Sequence, residues 1–382
     1  MQIVYISNYF NHHQKPLSDA FDKITKGSYR FIETTEIPEE RKLLGYQKLD
    51  ADYVIGYMEN ERYVDDLILA AEVVIIGEAP VKIVQRRLQK GLLTFHDNER
   101  RYKSIIKYLK WPIYTLKSIV LNKGFLLCAS AFASRDFRLS GMSVKKCFKW
   151  GYFTEVKKFD VERLISEKFS FQSSNHKILI LWAARFIRLK HPELVVLLAE
   201  RLKNLGYDFT IKMIGTGVME DEIRTLIDKK ELNDCITLLG AMKPDDVRSH
   251  MERADIFLAT SDQNEGWGAT VNESMSSACA IVASHSIGAV PFLITHKQNG
   301  LIFKSEDLLS LTENVQWLIE NEKDRLEISQ RAYETMITQW NPGKASENFL
   351  LLTEALRKGT QSPIADGPCS LAPVYRNNWF LK

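Results

Sequence analysis

The sequence predicts an α/β protein of two successive domains, each built on a doubly wound parallel sheet. At 382 residues the chain exceeds one ordinary core, and two domains of ~150–200 residues are expected. Short apolar runs rich in β-branched and aromatic residues alternate with amphipathic stretches, which is typical of βαβ units. This alternation restarts after a polar, Ser- and Lys-rich stretch at 155–174, which we interpret as an interdomain linker.

The first domain is expected to span residues 1–165. Its predicted strands are Gln2–Ile6, Tyr53–Tyr57, Val73–Ile76, Leu92–Phe95 and Phe125–Ala129. Helical segments are predicted between them at Lys15–Lys26, Glu61–Ala71 and Val81–Lys90. Strands that alternate with helices form parallel sheets with right-handed crossovers, which gives a Rossmann-like domain.

The second domain is expected at 170–343 and has the more regular pattern. Its predicted strands are Lys177–Ala183, Phe209–Ile214, Ile236–Leu239, Ile256–Ala259 and Ala280–Ala283. Its predicted helices are Pro192–Leu205, Glu220–Lys230, Asp245–Arg253 and Asn272–Ala280. Residues 344–382 are expected to form a helix that packs back on the first domain and then a tail, loosely packed over 361–382.

Composition and charge narrow the class of protein. Hydrophobic residues make up 45% and the net charge is only +3, so the balance is that of a soluble protein with no preference for nucleic acid. The five cysteines show no metal-ligand spacing, which favours reduced thiols in the cytosol. The start lacks the pattern of a signal peptide and no run reaches ~20 apolar residues. We therefore expect a cytoplasmic protein.

Four polar or glycine-rich loops follow predicted strands of the second domain. They are Ala184–Lys190, Gly215–Gly217, Gly240–Met242 and Thr260–Glu273. Ligands of open parallel sheets bind beyond the carboxyl ends of the strands, so we expect all four loops to converge on one site.

The chemistry of these loops suits a sugar nucleotide. Gly266 and Gly268 leave backbone N–H groups uncovered at the start of a helix, where the dipole favours a phosphate. Arg185 and Lys190 add cations for a diphosphate. Predicted donor contacts are Gly215, Thr216, Gly217, Gly240, Ala241, Met242, Gly266, Trp267, Gly268, Ala269, Thr270 and Glu273.

Each feature alone has a structural explanation. Gly215-Thr-Gly217 also describes a tight turn, and Trp267 could cap a core. A pair of glutamates eight residues apart is common on helix surfaces. The combination in strand-tip order is what favours a binding site over chance.

With these residues identified, 177–343 resembles the donor-binding domain of glycosyltransferase family 4. The E-x7-E pattern of that family is matched by Glu265 and Glu273, and its Arg-x4-Lys pair by Arg185 and Lys190, with Ala184 where glycine is usual. Further matches are Ile214–Gly217, Ser286–Pro291, Asn299–Phe303 and Trp340, with departures at Ala289 and Phe292.

The resemblance implies the GT-B fold, in which two Rossmann-like domains face a cleft. It implies that Glu265 contacts the donor sugar and Glu273 the ribose, while Arg185 and Lys190 stabilise the departing diphosphate in place of a divalent metal. It further implies retention of anomeric configuration. The nucleotide-diphosphate sugar would be the co-substrate, and no cofactor and no metal would be required.

The first domain is expected to hold the acceptor. The loop after its first strand carries Asn11, His12 and His13, which are candidates for acceptor contacts, although adjacent histidines on a loop are otherwise ordinary surface residues. His96 follows a predicted strand, where the resemblance places a residue near the reacting sugar, and is a candidate for catalysis. The alternative is a loop histidine hydrogen-bonded to Asp97.

Residues 100–123 mix Arg and Lys with Ile, Tyr, Trp and Leu. Such a mixture suits the headgroup region of an anionic membrane and predicts a possible peripheral contact at the inner leaflet. The alternative is a buried helix with a cationic solvent face, and Pro112 interrupts either helix.

The sequence therefore predicts a retaining glycosyltransferase that uses a nucleotide-diphosphate sugar and a saccharide or lipid-linked saccharide acceptor, in surface polysaccharide or glycolipid assembly. A sugar-nucleotide epimerase of the same architecture and a non-catalytic nucleotide-sugar-binding protein stay open as alternatives. An NAD-dependent dehydrogenase is the weakest alternative, because Ser7-Asn8-Tyr9 stands where GxGxxG would follow the first strand.

Overall fold

The computed structural model describes residues 1–42, 47–100, 124–139, 141–157, 160–170, 177–376 and 378–381. The chain divides into two compact units. Unit 1 comprises Met1–Glu155 together with Gln339–Lys382, and unit 2 comprises Val156–Thr338. Unit 1 is thus made from two separate stretches of chain, and unit 2 from one.

Unit 1 is built on a seven-stranded sheet in which every neighbouring pair is parallel. Its strands are β1 (Ile3–Ser7), β2 (Tyr29–Glu33), β3 (Val54–Gly56), β4 (Val73–Ile76), β5 (Thr94–Asn98), β6 (Phe125–Cys128) and β7 (Cys147–Lys149). The order is β3-β2-β1-β4-β5-β6-β7, so it reverses between β1 and β4. Its α-helices are α1 (Lys15–Ile24), α2 (Glu39–Lys42), α3 (Glu61–Ala70), α4 (Gln85–Gln89), α5 (Ala133–Leu139) and α14 (Pro342–Arg357).

The sequence missed two strands of this sheet for different physical reasons. β2 carries Arg30 and Glu33 at partly exposed positions, so its apolar pattern is interrupted. β7 has three residues and stands at the sheet edge, directly after Lys145 and Lys146. β5 also extends further than predicted, to Asn98, which places His96 inside the strand and not in the loop after it.

Helix α14 packs against α1 and the sheet of unit 1. The ring of Phe349 lies 5.4 Å from Phe21, 5.0 Å from Phe95 and 5.9 Å from Trp150, measured between centroids. All four side chains are buried. A single aromatic cluster therefore ties the carboxyl-terminal stretch to strands formed near the amino terminus.

The prediction of a loosely packed tail was wrong over residues 367–372. The backbone of this segment hydrogen-bonds to β7: Cys369 N donates to Lys149 O at 2.8 Å, Lys149 N donates to Ser370 O at 2.8 Å, and Ala372 N donates to Cys147 O at 2.9 Å. The tail thus provides hydrogen-bond partners for backbone groups of β7 that would otherwise be exposed at the edge of the sheet.

Unit 2 is built on a six-stranded, all-parallel sheet of order β10-β9-β8-β11-β12-β13. Its strands are β8 (Ile178–Ala183), β9 (Phe209–Ile214), β10 (Ile236–Leu238), β11 (Ile256–Ala259), β12 (Ala280–Ser284) and β13 (Leu301–Phe303). Its α-helices are α6 (Val161–Ser170), α7 (Pro192–Asn204), α8 (Glu220–Lys229), α9 (Pro244–Met251), α10 (Ala269–Ser276), α11 (Val290–Leu293), α12 (Leu308–Glu320) and α13 (Glu322–Thr338). The order reverses between β8 and β11, as in a doubly wound nucleotide-binding fold.

The stretch expected to be a linker contains helix α6, which belongs to unit 2. Lys168 on α6 donates from Nζ to the carbonyl oxygens of Ala254, Ser277 and Ala278 at 3.1, 3.0 and 2.6 Å. Burial lowers the pKa of this ammonium. Three carbonyls satisfy its three donors, so this charged side chain attaches the helix to the rest of unit 2.

Within the described part of the chain, no helix is both long enough and apolar enough to cross a membrane.

We predict that Phe349→Ala lowers the free energy of unfolding of unit 1 by about 3–5 kcal/mol, because it empties the centre of the aromatic cluster. Chemical denaturation, with tryptophan fluorescence as the signal, measures this. The matched control on the same helix is Leu351→Ala, since Leu351 is exposed. A loss no larger than that of the control would show that α14 is not part of the core of unit 1.

Candidate functional site

The reversal of strand order in unit 2 defines the position of the candidate site. β8 and β11 are neighbours, and the loops that follow them run to opposite faces of the sheet. The loop after β8 begins at Ala184 and continues through the 3₁₀ turn Arg188–Lys190. The loop after β11 begins at Thr260 and ends at Gly268, which caps α10.

An ion pair joins these two loops. Lys190 Nζ donates to Glu265 Oε2, and the two side chains are only 14% and 15% exposed. Backbone contacts fix the same two loops, because Asp262 N donates to Leu189 O at 2.9 Å and Thr260 Oγ1 donates to Lys190 O at 2.5 Å. The sequence predicted both charged residues as catalytic, and the structure brings them into direct contact. Arg185, from the same loop, is exposed.

The glycine turn after β9 is shaped by contact with the loop after β8. Gly215 has φ 132°, and a Cβ atom there would lie 1.9 Å from Ala184 O. A Cβ atom on Gly217 would lie 2.5 Å from Phe186 O. Gly215 N donates to Gly240 O at 2.8 Å, so the turn also contacts the loop after β10. Three of the four predicted loops therefore touch one another, and glycine is required for that approach.

Helix α10 begins at Ala269, directly after Gly268 at φ 87°. A Cβ atom on Gly268 would approach Ile287 Cγ2 to 2.6 Å, so this position also requires glycine. The N–H groups of the first turn have no acceptor within the helix, which makes this end a favourable place for an anion. Ala269 and Thr270 are partly exposed there.

The side chain of Trp267 does not reach this surface. It is 0% exposed, and its Nε1 donates to Asn272 Oδ1 at 2.7 Å. Any contact of Trp267 with a donor would come from its backbone. Thr216 and Met242 are partly exposed and Ala241 is exposed, as loop positions near a ligand would be.

Glu273 lies on α10, one helical turn beyond its start. Burial raises the pKa of its carboxyl to about 7, and Arg248 acts in the opposite direction. Arg248 is 8% exposed and donates from Nη1 to the backbone oxygen of Glu273 at 2.9 Å. Sequence reasoning missed Arg248, because an arginine in a polar helix is normally at the surface.

Two cations, the buried Arg248 and the partly buried Lys168, thus meet the carboxyl-terminal end of α10. Arg248 binds the carbonyl of Glu273, and Lys168 binds those of Ser277 and Ala278. Positive charge at this end complements the helix dipole, while the opposite end faces the site. Hydrogen bonds at its carboxyl-terminal end therefore fix α10 on the side away from the site.

Unit 1 has a second reversal, between β1 and β4. There Asn8 Nδ2 donates to Glu78 Oε2 at 3.0 Å. Asn11 is buried and its Oδ1 accepts from His13 N at 2.9 Å, so this side chain builds the turn. The rings of His12 and His13 lie 4.0 Å apart. Burial lowers the pKa of His13 to about 3, so this imidazole is neutral at physiological pH.

The end of β5 differs from the prediction. His96 is 1% exposed, and Asp97, which points to the other face of the strand, is partly exposed. His96 lies inside β5, so its predicted placement in the loop after the strand was wrong, while its role in catalysis stays a prediction. Tyr5 Oη donates a hydrogen bond to Asp97 Oδ2.

Asp97 and Glu99 are the polar groups that the sequence did not single out at this edge. Burial raises the pKa of Asp97 to about 7. Glu99 accepts from Tyr152 Oη at 2.6 Å. Alternation along β5 was the signal that could have found Asp97.

Among the described residues, one His/Asp/Glu group has ligand atoms within 4.8 Å of one another: His191, Asp262 and Glu306. Both imidazole nitrogens face carboxylates, Nδ1 at 2.7 Å from Glu193 Oε1 and Nε2 at 3.5 Å from Asp262 Oδ2. Nδ1 shares a hydrogen bond with Glu193, whereas the buried Nε2 has an ionic contact with Asp262 but no hydrogen bond. Residues 101–123, predicted to contact a membrane, lie outside the described residues.

Residues 165–335 match the family model described as "Glycosyl transferases group 1". This match covers a little under half of the chain, which is similar to that family over these residues. The resemblance predicted from the strand-tip motifs is thereby confirmed for the domain that carries them.

Two curated relatives match a similar stretch. The amylovoran biosynthesis glycosyltransferase AmsK of Erwinia amylovora is 27% identical over 182 residues, which cover 46% of this chain and 44% of AmsK. A Campylobacter jejuni 4-alpha-N-acetylgalactosaminyltransferase, whose name specifies a diphospho-undecaprenol substrate, is 25% identical over 146 residues, or 38% of each chain. The matched stretch is less than half the length of either relative.

The fold agrees over nearly the whole chain with a solved structure. HepE of Anabaena, crystallised in complex with UDP, superimposes with a TM-score of 0.68 at 12% identity, covering 94% of this chain and 100% of HepE. At this identity the likeness concerns the fold, and it confirms the GT-B class with two parallel-sheet domains.

We predict that Gly215→Ala destabilises unit 2 and abolishes nucleotide binding, because the new methyl group would collide with a backbone oxygen that cannot move independently. Gly206→Ala is the control, since Gly206 also has a positive φ, 81°, but no atom within 4 Å of its would-be Cβ. The control should cost only about 1–2 kcal/mol. Thermal unfolding measures both, and equal losses would contradict the predicted collision.

We predict that Glu273→Gln becomes more stable than the wild-type protein as pH rises from 4.5 to 7. The carboxyl has an ordinary pKa of 4.5 and one of about 7 in the fold, so folding opposes its ionisation over this range. The wild-type protein therefore loses stability with rising pH, by at most about 3 kcal/mol, and the amide does not. Denaturation at pH 4 and pH 8 tests this, and a variant less stable than wild type at pH 8 would contradict it.

Proposed function

We propose that this protein is a retaining, metal-independent glycosyltransferase that transfers a sugar from a nucleotide-diphosphate donor to a saccharide or lipid-linked saccharide. The observation that carries the proposal is the Lys190–Glu265 ion pair at the strand-order reversal of unit 2, beside the start of α10. Ion pairs at this position place both charges where a diphosphate and its sugar would bind.

The ion pair suits an exchange of partners on binding. Each charge neutralises the other at low exposure, so neither stays unpaired. A bound diphosphate would pair with the ammonium of Lys190, and the hydroxyls of the transferred sugar would donate hydrogen bonds to Glu265. The carboxylate accepts hydrogen bonds and the ammonium donates them, so both groups stay satisfied.

The proposed chemical step balances on the donor itself. The bond between the anomeric carbon and the diphosphate oxygen breaks, and a bond from the acceptor hydroxyl oxygen forms on the same face. The hydroxyl proton passes to a phosphate oxygen of the leaving group. Negative charge grows on the diphosphate in the transition state, where Lys190, Arg185 and the amides at the start of α10 would oppose it.

Metal independence follows from the same groups in this proposal. Two side-chain cations and a helix start would supply the charge that a divalent ion supplies elsewhere. Glu273, from the first turns of α10, would accept hydrogen bonds from the ribose hydroxyls of the nucleoside. Ionisation of this carboxyl near neutral pH would then strengthen donor binding.

The acceptor is proposed to bind the polar edge of unit 1. Asn8, Glu78, Asp97 and Glu99 present amide and carboxylate groups there, and His13 is neutral. Such groups suit hydroxyl-bearing sugars. The names of AmsK and the undecaprenol-specific relative support an acceptor from surface polysaccharide or glycolipid assembly. Peripheral attachment at the inner leaflet, through 100–123, belongs to the same proposal.

Donor identity is the first measurement. Thermal shifts with UDP-, GDP- and ADP-sugars select the nucleotide, and incubation with that donor and candidate acceptors follows. Retention is read from the anomeric configuration of the product by NMR. Conversion of the donor sugar without an acceptor would instead indicate an epimerase, and binding without any turnover would indicate a non-catalytic protein.

We predict that Glu265→Gln and Lys190→Ala each lower kcat by about 10²–10³-fold, while circular dichroism stays that of the wild type. Lys203→Ala is the control, because Lys203 forms an exposed ion pair with Asp234 in the same unit. EDTA should leave the rate unchanged. Full activity of either variant, or strict dependence on a divalent ion, would refute the proposal.

A further inference from the structure

His191 occupies a position where a side chain is unfavourable. It follows Lys190 directly and precedes α7, with φ 49° and ψ 54°. Residues with a Cβ atom rarely adopt this left-handed conformation, and glycine adopts it readily. The imidazole is therefore kept at a backbone position that glycine would fill with less strain, which indicates that its contacts matter.

The imidazole contacts two carboxylates, and a third lies nearby. Nδ1 lies 2.7 Å from Glu193 Oε1, at the start of α7. Nε2 lies 3.5 Å from Asp262 Oδ2, in the loop after β11. A carboxylate oxygen of Glu306, in the loop after β13, lies within 4.8 Å of the ligand atoms of His191 and Asp262. The backbone of Glu306 is also in the left-handed region, with φ 63°. These three loops follow strands β8, β11 and β13 of one sheet.

Asp262 organises the loop that carries Glu265. Its Oδ1 accepts from Asn264 N at 2.7 Å, and its backbone oxygen accepts from Glu265 N at 3.1 Å. Its own amide donates to Leu189 O, in the loop of Lys190. Asp262 is thus attached to Asn264 through its carboxylate and to Glu265 through its backbone oxygen.

We propose that His191 is a positioning residue that, through Asp262, holds the loop of Glu265 against the loop of Lys190 and so sets the geometry of their ion pair. This inference rests on the proposed function for its effect on catalysis. Its structural part, the attachment of one loop to the other, does not.

Charge strengthens the link. The hydrogen bond to Glu193 is the main cause that raises the pKa of His191, and the charges of Glu193, Glu306 and Asp262 act in the same direction while burial opposes them. A raised pKa means that the imidazolium stabilises the fold fully below pH 6.5 and that this stabilisation is lost as pH rises through the folded pKa. The link should therefore weaken in alkaline solution.

The first test measures the loop without any sugar nucleotide. In His191→Asn, amide hydrogen exchange of residues 262–266 should accelerate at pH 6, because asparagine tolerates the left-handed backbone but carries no charge. His250→Asn is the matched control, since His250 lies on α9 in the same unit. Unchanged exchange in His191→Asn would overturn the proposal whether or not the protein transfers sugars.

The second test separates positioning from general stability. His191→Gly should lower kcat by about 10–100-fold in the wild-type background, since small displacements of a catalytic group have large effects. In a Lys190→Ala background the same change should have no further effect, because the ion pair it positions is gone. Additive losses would overturn the proposal. The difference between wild type and His191→Asn should also shrink above the pKa of His191.

The third measurement addresses the alternative occupant of this group. Elemental analysis of the purified protein should find no stoichiometric zinc or manganese that disappears in His191→Asn. Finding such a metal would overturn the proposal, because the three side chains would then be ligands to an ion and not partners of an imidazolium.

Discussion

A doubly wound sheet leaves one place where adjacent strands send their following loops to opposite faces, and the polar groups of those loops have to find partners there. In unit 2 that place is between β8 and β11, and the Lys190–Glu265 ion pair occupies it. The pair is little exposed, so separation without a replacement partner is costly. The surrounding loops, their glycines and the start of α10 are all arranged around this constraint.

The helix and the loops of the site are fixed by hydrogen bonds and ion pairs with residues that lie outside the site. Helix α10 faces the ion pair with its amino-terminal end, while Lys168 and Arg248 bind carbonyls at its other end. His191 holds Asp262, and Asp262 holds the loop of Glu265. Few of these supporting groups would touch a ligand. A loss of activity after their substitution should therefore resemble a loss of alignment and not of chemistry.

The strands with uninterrupted apolar runs were readable from the sequence, since burial on both faces leaves a strong signal, as in β4 and β11. The fold class followed from their alternation with helices. Short edge strands and the pairing of the tail with β7 were not readable, because backbone hydrogen bonds leave no pattern in side-chain type.

The same distinction applies to the candidate site. Glu265 and Lys190 lie in the loops that follow two neighbouring strands, so their meeting could be anticipated from topology. The type of a residue does not determine whether its side chain points to solvent. His96 and Trp267 were both predicted at the site, and both side chains are buried. Arg248 and Lys168 act through carbonyls distant in sequence, which no spacing reveals. Their assignment required coordinates.

The division of the chain has a consequence for the order of assembly. Unit 1 needs residues from Gln339 onward, whereas unit 2 is continuous from Val156 to Thr338. On a ribosome, the second sheet can be complete while the first still lacks α14 and the segment that covers β7. The aromatic surface that Phe349 will cover then stays open to solvent throughout the synthesis of unit 2. The first half of the nascent protein is therefore the half that a holding chaperone would be expected to protect for longest.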